Sequence, residues 1–151
     1  MRLYANQLGK HLSGDLLNCY LVVGDEPLQL QEACDAIKKK AQSLGFTERE
    51  AHQVDKTFKW HQLHDSAGNM SLFASKRLID LHLPTGKPGT AGSKALVEFV
   101  GHMPADVMLL IRCDEWTASN DKSKWVKVLS ENGAFLLQLV GIVDNPFTDG
   151  F

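Results

Sequence analysis

Five strand-like runs recur along this sequence: CYLVV (19–23), EAHQVD (50–55), RLIDLHL (77–83), DVMLLIRC (106–113) and AFLLQLV (134–140). Between them lie stretches with helical spacing, at 27–41, 59–67, 93–103 and 118–130, and a further short helix is expected at 5–12. Strands that are apolar almost throughout, alternating with helices, fit a parallel or mostly parallel sheet covered on both faces. The expected fold is therefore α/β, a three-layer domain built on a parallel five-stranded sheet.

Local signals agree with this order. Pro27 stands where a helix should begin, behind Asp25 and Glu26, whose carboxylates suit the positive end of a helix dipole. Leu28, Leu30, Ala33, Ile37 and Ala41 continue the pattern, and Gly45 supplies the stop. PTGKPGTAGS (84–93) reads as a flexible surface connection rich in Gly and Pro. One domain is expected over residues 1–140, followed by a turn-like tail at 141–151, VDNPFTDGF closing the chain.

Composition narrows the function. With 151 residues and 44% hydrophobic content, the chain can bury a full core. Its 16 basic and 18 acidic residues leave a formal charge of −2, which argues against a dedicated nucleic-acid or anionic-membrane surface. Cys19, Cys34 and Cys113 are odd in number and sit in apolar surroundings, as reduced buried thiols of a cytoplasmic protein do. Neither a signal-peptide core nor a membrane-length apolar run is present, so a cytoplasmic location is expected.

The usual chemical motifs fail one after another. GDEPLQLQ (24–31) follows a strand, but it has a single glycine and no Lys-Ser or Lys-Thr pair. Asp25 and Glu26 would set two negative charges where phosphates should sit, a repulsion on the order of 1 kcal/mol or more per close pair at surface dielectric. VMLLIRCDEW ends in Asp114 and Glu115, which resemble a magnesium-binding acidic pair. Arg112 and Cys113 interrupt that match, and a magnesium-dependent nucleotide hydrolase using the pair would still lack a phosphate loop. His61 and His64 share a helix face without a third ligand at a recognisable spacing. A receiver domain would require an Asp closing the central strand and a Lys closing the last, and both are missing. No catalytic, cofactor or metal site is expected.

What remains is GNMSLFASKR (68–77), where Met70, Leu72 and Phe73 stand in a polar connection just before a strand. Apolar side chains there either fold back as a staple over the sheet or form a contact surface. YLVVGDEPLQLQEA and MSLFASKRLIDL, taken together with the opening RLYANQL, resemble the delta-subunit family of the bacterial DNA polymerase III clamp loader over 2–140. The resemblance implies a degenerate AAA+ (RecA-like) fold that has lost its ATP site, in a non-catalytic subunit of a DNA-directed DNA polymerase holoenzyme. It also implies binding to the beta sliding clamp, with Leu72 and Phe73 as the inserted wedge and Met70 and Ser71 as neighbours, so as to promote ring opening in DNA replication. Other loader subunits, gamma/tau and delta prime, would be met mainly through lid and collar domains that follow this region in the family, and DNA only indirectly. The resemblance favours the contact reading for Leu72 and Phe73 and leaves Met70 as a brace. Lys76 and Arg77 are expected to steer the domain toward an acidic rim.

Overall fold

Residues 1–68 and 76–138 are described by the computed structural model. The strands are β1 (Arg2–Tyr4), β2 (Cys19–Gly24), β3 (Glu48–Gln53), β4 (Arg77–His82), β5 (Val107–Cys113) and β6 (Ala134–Gln138). All pair in parallel as one six-stranded sheet in the order β1-β6-β2-β5-β4-β3. The expected parallel α/β plan is present with one strand more than anticipated. That strand, β1, has only three residues and a single partner, so its sequence has no room to display a strand pattern.

Alternation along the central strands divides the core. Tyr20 and Val22 of β2 face the helix α2 (Pro27–Ser43), with Leu30, Ala33, Cys34 and Ile37 packed against them. Cys19, Leu21 and Val23 face the other layer, made of α3 (His61–Gly68), α4 (Gly89–Gly101) and α5 (Lys124–Asn132). Every residue of β2 is buried, which is why CYLVVG carries no polar side chain that needs water. The edge strand β3 instead alternates half-buried and exposed positions, and its Arg49, Glu48 and Glu50 keep that edge charged.

Two helix boundaries differ from expectation. Residues 89–92, read as linker, form the first turn of α4. The stretch 118–130 is not one helix: a 3-10 turn (Asn120–Lys122) is separated from α5 by Ser123, whose ψ of 144° is extended. At the other end of the chain, a 3-10 turn (Ala5–Gln7) and α1 (Leu8–Leu12) replace the expected short helix with two joined pieces.

All three cysteines are free and buried, and burial pushes the Cys19 and Cys34 thiols up to about 12. No described helix is long and apolar enough to cross a membrane. On α1, His11 Nε2 lies 2.7 Å from the Tyr20 hydroxyl, and burial holds the imidazole below its ordinary value. A depressed imidazole contributes stability above about pH 6.5, where both folded and unfolded chains are neutral at this position. As the pH falls below that value the unfolded chain binds the proton first, and the contribution is lost through the lower folded pKa. Urea unfolding at pH 7.5 and 5.5 should show a smaller stability loss in His11→Gln than in the parent; equal losses would contradict this assignment.

Candidate functional site

Because the strands are parallel, the sheet has two chemically distinct rims. The carboxyl rim, where α/β sheets usually bind ligands, carries the end of β2, the start of α2 and the end of β5. Glu26 caps α2 there: its carboxylate accepts from the Leu28 N–H at 3.4 Å and the Gln29 N–H at 2.8 Å, with Pro27 in the first turn. The N–H groups that would cradle a phosphate are thus already bound to an anion belonging to the chain.

The acidic pair on the same rim is occupied in a similar way. Asp114 Oδ2 lies 2.8 Å from His82 Nε2, and its Oδ1 lies 3.7 Å from Arg112 Nε, an ion-pair rather than a hydrogen-bond distance. Arg112 in turn donates through Nη1 to Gln31 Oε1 at 2.8 Å, tying β5 to α2. Glu115 is exposed, and its backbone N–H donates to the Pro84 carbonyl at 2.9 Å. A carboxylate held by His82 and Arg112 is poorly disposed to receive magnesium, since both partners favour its present geometry. His64 is turned toward α4, 3.8 Å from the Glu98 carboxylate and edge-on to Phe99, while His61 is exposed. Among the described residues no group of three or more His, Cys, Asp or Glu is placed to hold a metal ion.

Between the loop 84–88 and the starts of α4 and α5 lies a cleft of about 840 Å³, lined by Lys87, Lys94, Lys124, Glu98 and Trp125 among others. Along the chain this loop reads as a plain connection, because its cleft depends on α5, which begins 36 residues after Pro88. Its lining mixes three lysines with Glu98, and Asn120 inside it donates to the Gly86 carbonyl at 2.9 Å.

The opposite, amino rim holds the two ends between which 69–75 runs. Met70, Ser71, Leu72 and Phe73 themselves lie outside the described residues. The stretch follows α3, which is seated by Leu63, fully buried, and by Trp60 just before it. Trp60 stacks edge-on with Phe58, their centroids 5.0 Å apart, and lies against Gly92 of α4 so closely that a Cβ at 92 would stand 2.6 Å from the indole. Gly92 is therefore a contact surface rather than a linker residue; 84–88 remain the connection, while 89–93 belong to α4.

Beyond the stretch, β4 is fixed from both sides. The Lys76 carbonyl accepts the Glu48 N–H at 3.2 Å, and the Arg77 N–H donates to the Asp106 carbonyl at 2.9 Å. Arg77 is only 9% exposed, with its Nε 3.6 Å from Glu48 Oε2. Steering by Arg77 is thereby overturned: its charge is spent inside the sheet, against a carboxylate on the neighbouring strand. Lys76 is exposed.

Residues 20–137 match the family model described as DNA polymerase III, delta subunit. The chain is 32% identical over 130 residues to the DNA polymerase III subunit delta of Escherichia coli (strain K12), which covers 86% of this chain and 38% of that protein. The subunit delta of Haemophilus influenzae (strain ATCC 51907 / DSM 11121 / KW20 / Rd) matches at the same 32% identity, again over 86% of this chain and 38% of its own length. The chain thus spans about two-fifths of the length of these relatives. Among solved structures, the Bacillus subtilis DNA clamp loader delta protein shares the fold with a TM-score of 0.68 at 16% identity, covering 89% of this chain and 42% of its own.

Two outcomes follow from these rims. Gly92→Ala should destabilise the chain by about 1–3 kcal/mol, read from the urea midpoint, because the indole of Trp60 must shift to admit a methyl group; an unchanged midpoint would show that the contact yields freely. Calorimetric titration with Mg-ATP at micromolar concentrations should give no binding heat, and a clear isotherm would mean that the Glu26 cap gives way to phosphate.

Proposed function

This chain belongs to the DNA polymerase III delta-subunit family, and on that premise we propose that it is the clamp-gripping domain of a clamp loader. Its ligand in this reading is the beta sliding clamp. The contact is made by Leu72 and Phe73, with Met70 and Ser71 beside them, on the stretch between α3 and β4. One observation carries the reading: the family match runs through this stretch, with Leu63 of α3 buried before it and Lys76 and Arg77 hydrogen-bonded into the sheet after it.

The energetics suit a small apolar wedge. Burying a Leu and a Phe is worth about 1.5–3 kcal/mol each, so the pair supplies roughly 3–6 kcal/mol before association costs. That is the scale of a hot spot. Holding the chain beside a contact lowers the entropy lost when that contact forms on the clamp. Ring opening then follows if the domain binds the open clamp more tightly than the closed one, since a ligand shifts an equilibrium only through differential affinity.

The domain itself is non-catalytic in this account, a degenerate AAA+ sheet whose former phosphate end is filled by Glu26 and whose acidic pair is engaged by His82 and Arg112. Contacts with gamma/tau and delta prime are assigned to parts of such subunits beyond these residues, and DNA is met only indirectly. Surface-immobilised beta clamp should bind the parent chain and bind the Leu72→Ala, Phe73→Ala double variant at least a hundredfold more weakly, about 3 kcal/mol. Unchanged affinity in a folded double variant would remove the proposed site.

A further inference from the structure

The carboxyl end of α2 and Lys76, the residue that follows the 69–75 stretch, meet across the sheet's edge-side turn at 44–46. Helix α2 closes with a glycine turn: Gly45, at φ 99°, donates to the Gln42 carbonyl at 3.1 Å, and Phe46 donates to the Ala41 carbonyl at 3.0 Å. Phe46 packs inward against the α2-side core. Across this turn lies Lys76. A Cβ at Gly45 would stand 3.7 Å from Lys76 Cδ, so the lysine stem rests on the bare glycine. Its ammonium stands 5.2 Å from the centroid of the Phe46 ring and 3.5 Å from the Leu44 carbonyl. That carbonyl is at the negative end of α2, which favours a cation.

We propose that Lys76 is a positioning residue for the clamp contact: it pins the residue that follows the 69–75 stretch to the Leu44–Phe46 turn, and the affinity for the clamp depends on that pin. This rests on the clamp-binding reading above. The observations favour pinning over steering because the ammonium is directed onto protein groups, an aromatic face and a helix-end carbonyl, instead of being left at the tip of an extended side chain. The lysine stem also covers Gly45 where any side chain would be strained, which links this turn's glycine to the same device. Lys76 sits one residue before Arg77, whose backbone and side chain are both tied into the sheet, so the pin is continuous with a rigid strand.

The test is a double-mutant cycle on clamp affinity with the full chain and the beta sliding clamp, using Lys76→Met, Phe46→Leu and the pair, each checked for folding by thermal melting. Lys76→Met keeps the stem and removes the charge, and it should weaken binding about two- to fivefold, the range an exposed cation–π contact supports. Lys76→Arg should restore parental affinity. In the Phe46→Leu background the Lys76→Met loss should disappear, because the pin is already gone. A Lys76→Met loss that persists undiminished in that background, or parental affinity in Lys76→Met itself, would overturn the proposal. An association rate whose salt dependence falls in Lys76→Met while dissociation is unchanged would overturn it in favour of steering. The Leu72→Ala, Phe73→Ala variant in the same assay separates the two levels. If that variant binds like the parent, the clamp reading itself fails; if it loses binding while Lys76→Met does not, only the pin fails.

Discussion

The burial of β2 and β5 on both faces is the constraint on which this domain depends. These neighbours place Cys19 opposite Leu109 and Leu21 opposite Ile111, with no water on either side of the sheet. Parallel strands so enclosed require helices above and below, and the connections that supply those helices carry the chain repeatedly from one rim to the other. Two rims result, and they diverge in character. The carboxyl rim is closed by the chain's own charges, with Glu26 on the start of α2 and Asp114 between His82 and Arg112. The amino rim is where the stretch from α3 to β4 begins and ends.

This separation gives the proposed function a physical basis. Glu26 already occupies N–H groups at the start of α2, and the sheet serves in this proposal as a rigid frame for a contact elsewhere. Trp60 against Gly92 seats the helix before the stretch, while Lys76 and Arg77 fix the strand after it. The buried charges serve the same rigidity. Asp80, 9% exposed, is paired with Lys38 on α2 at 2.9 Å and with Arg49 on β3 at 3.5 Å, so the helix and the edge strand are locked to β4 together. Such a partly enclosed network is costly to break, since removing one member strands the others.

Much of the fold was legible because buried parallel strands must be apolar throughout. CYLVV, RLIDLHL, DVMLLIRC and AFLLQLV stood out for that reason, and β3 was read two residues late because an edge strand with alternating charges has weaker bounds. The three residues of β1 hold no periodicity. PTGKPGTAGS was misread because glycine signals flexibility locally, whereas Gly92 is there to admit Trp60, a contact between distant parts of the chain. Arg77 was misread for a similar reason: nothing in its neighbours along the chain tells that Glu48 lies beside it. Leu72 and Phe73 stand out against their polar neighbours, but polarity alone cannot separate a staple from a contact, and the preference for a contact rests on the family resemblance. The turn that receives Lys76 lies 32 residues earlier, beyond the reach of any local pattern.

The central claim is that this domain meets the sliding clamp through its amino rim. Hydrogen–deuterium exchange of the chain with and without the beta clamp tests it directly, because each amide reports its own protection. The account predicts that the clamp slows exchange across residues 69–76 and the neighbouring turn at 44–46, and leaves 24–29 and 113–116 on the opposite rim unchanged. Protection confined to the carboxyl rim, with residues 69–76 exchanging as in the free chain, would contradict it.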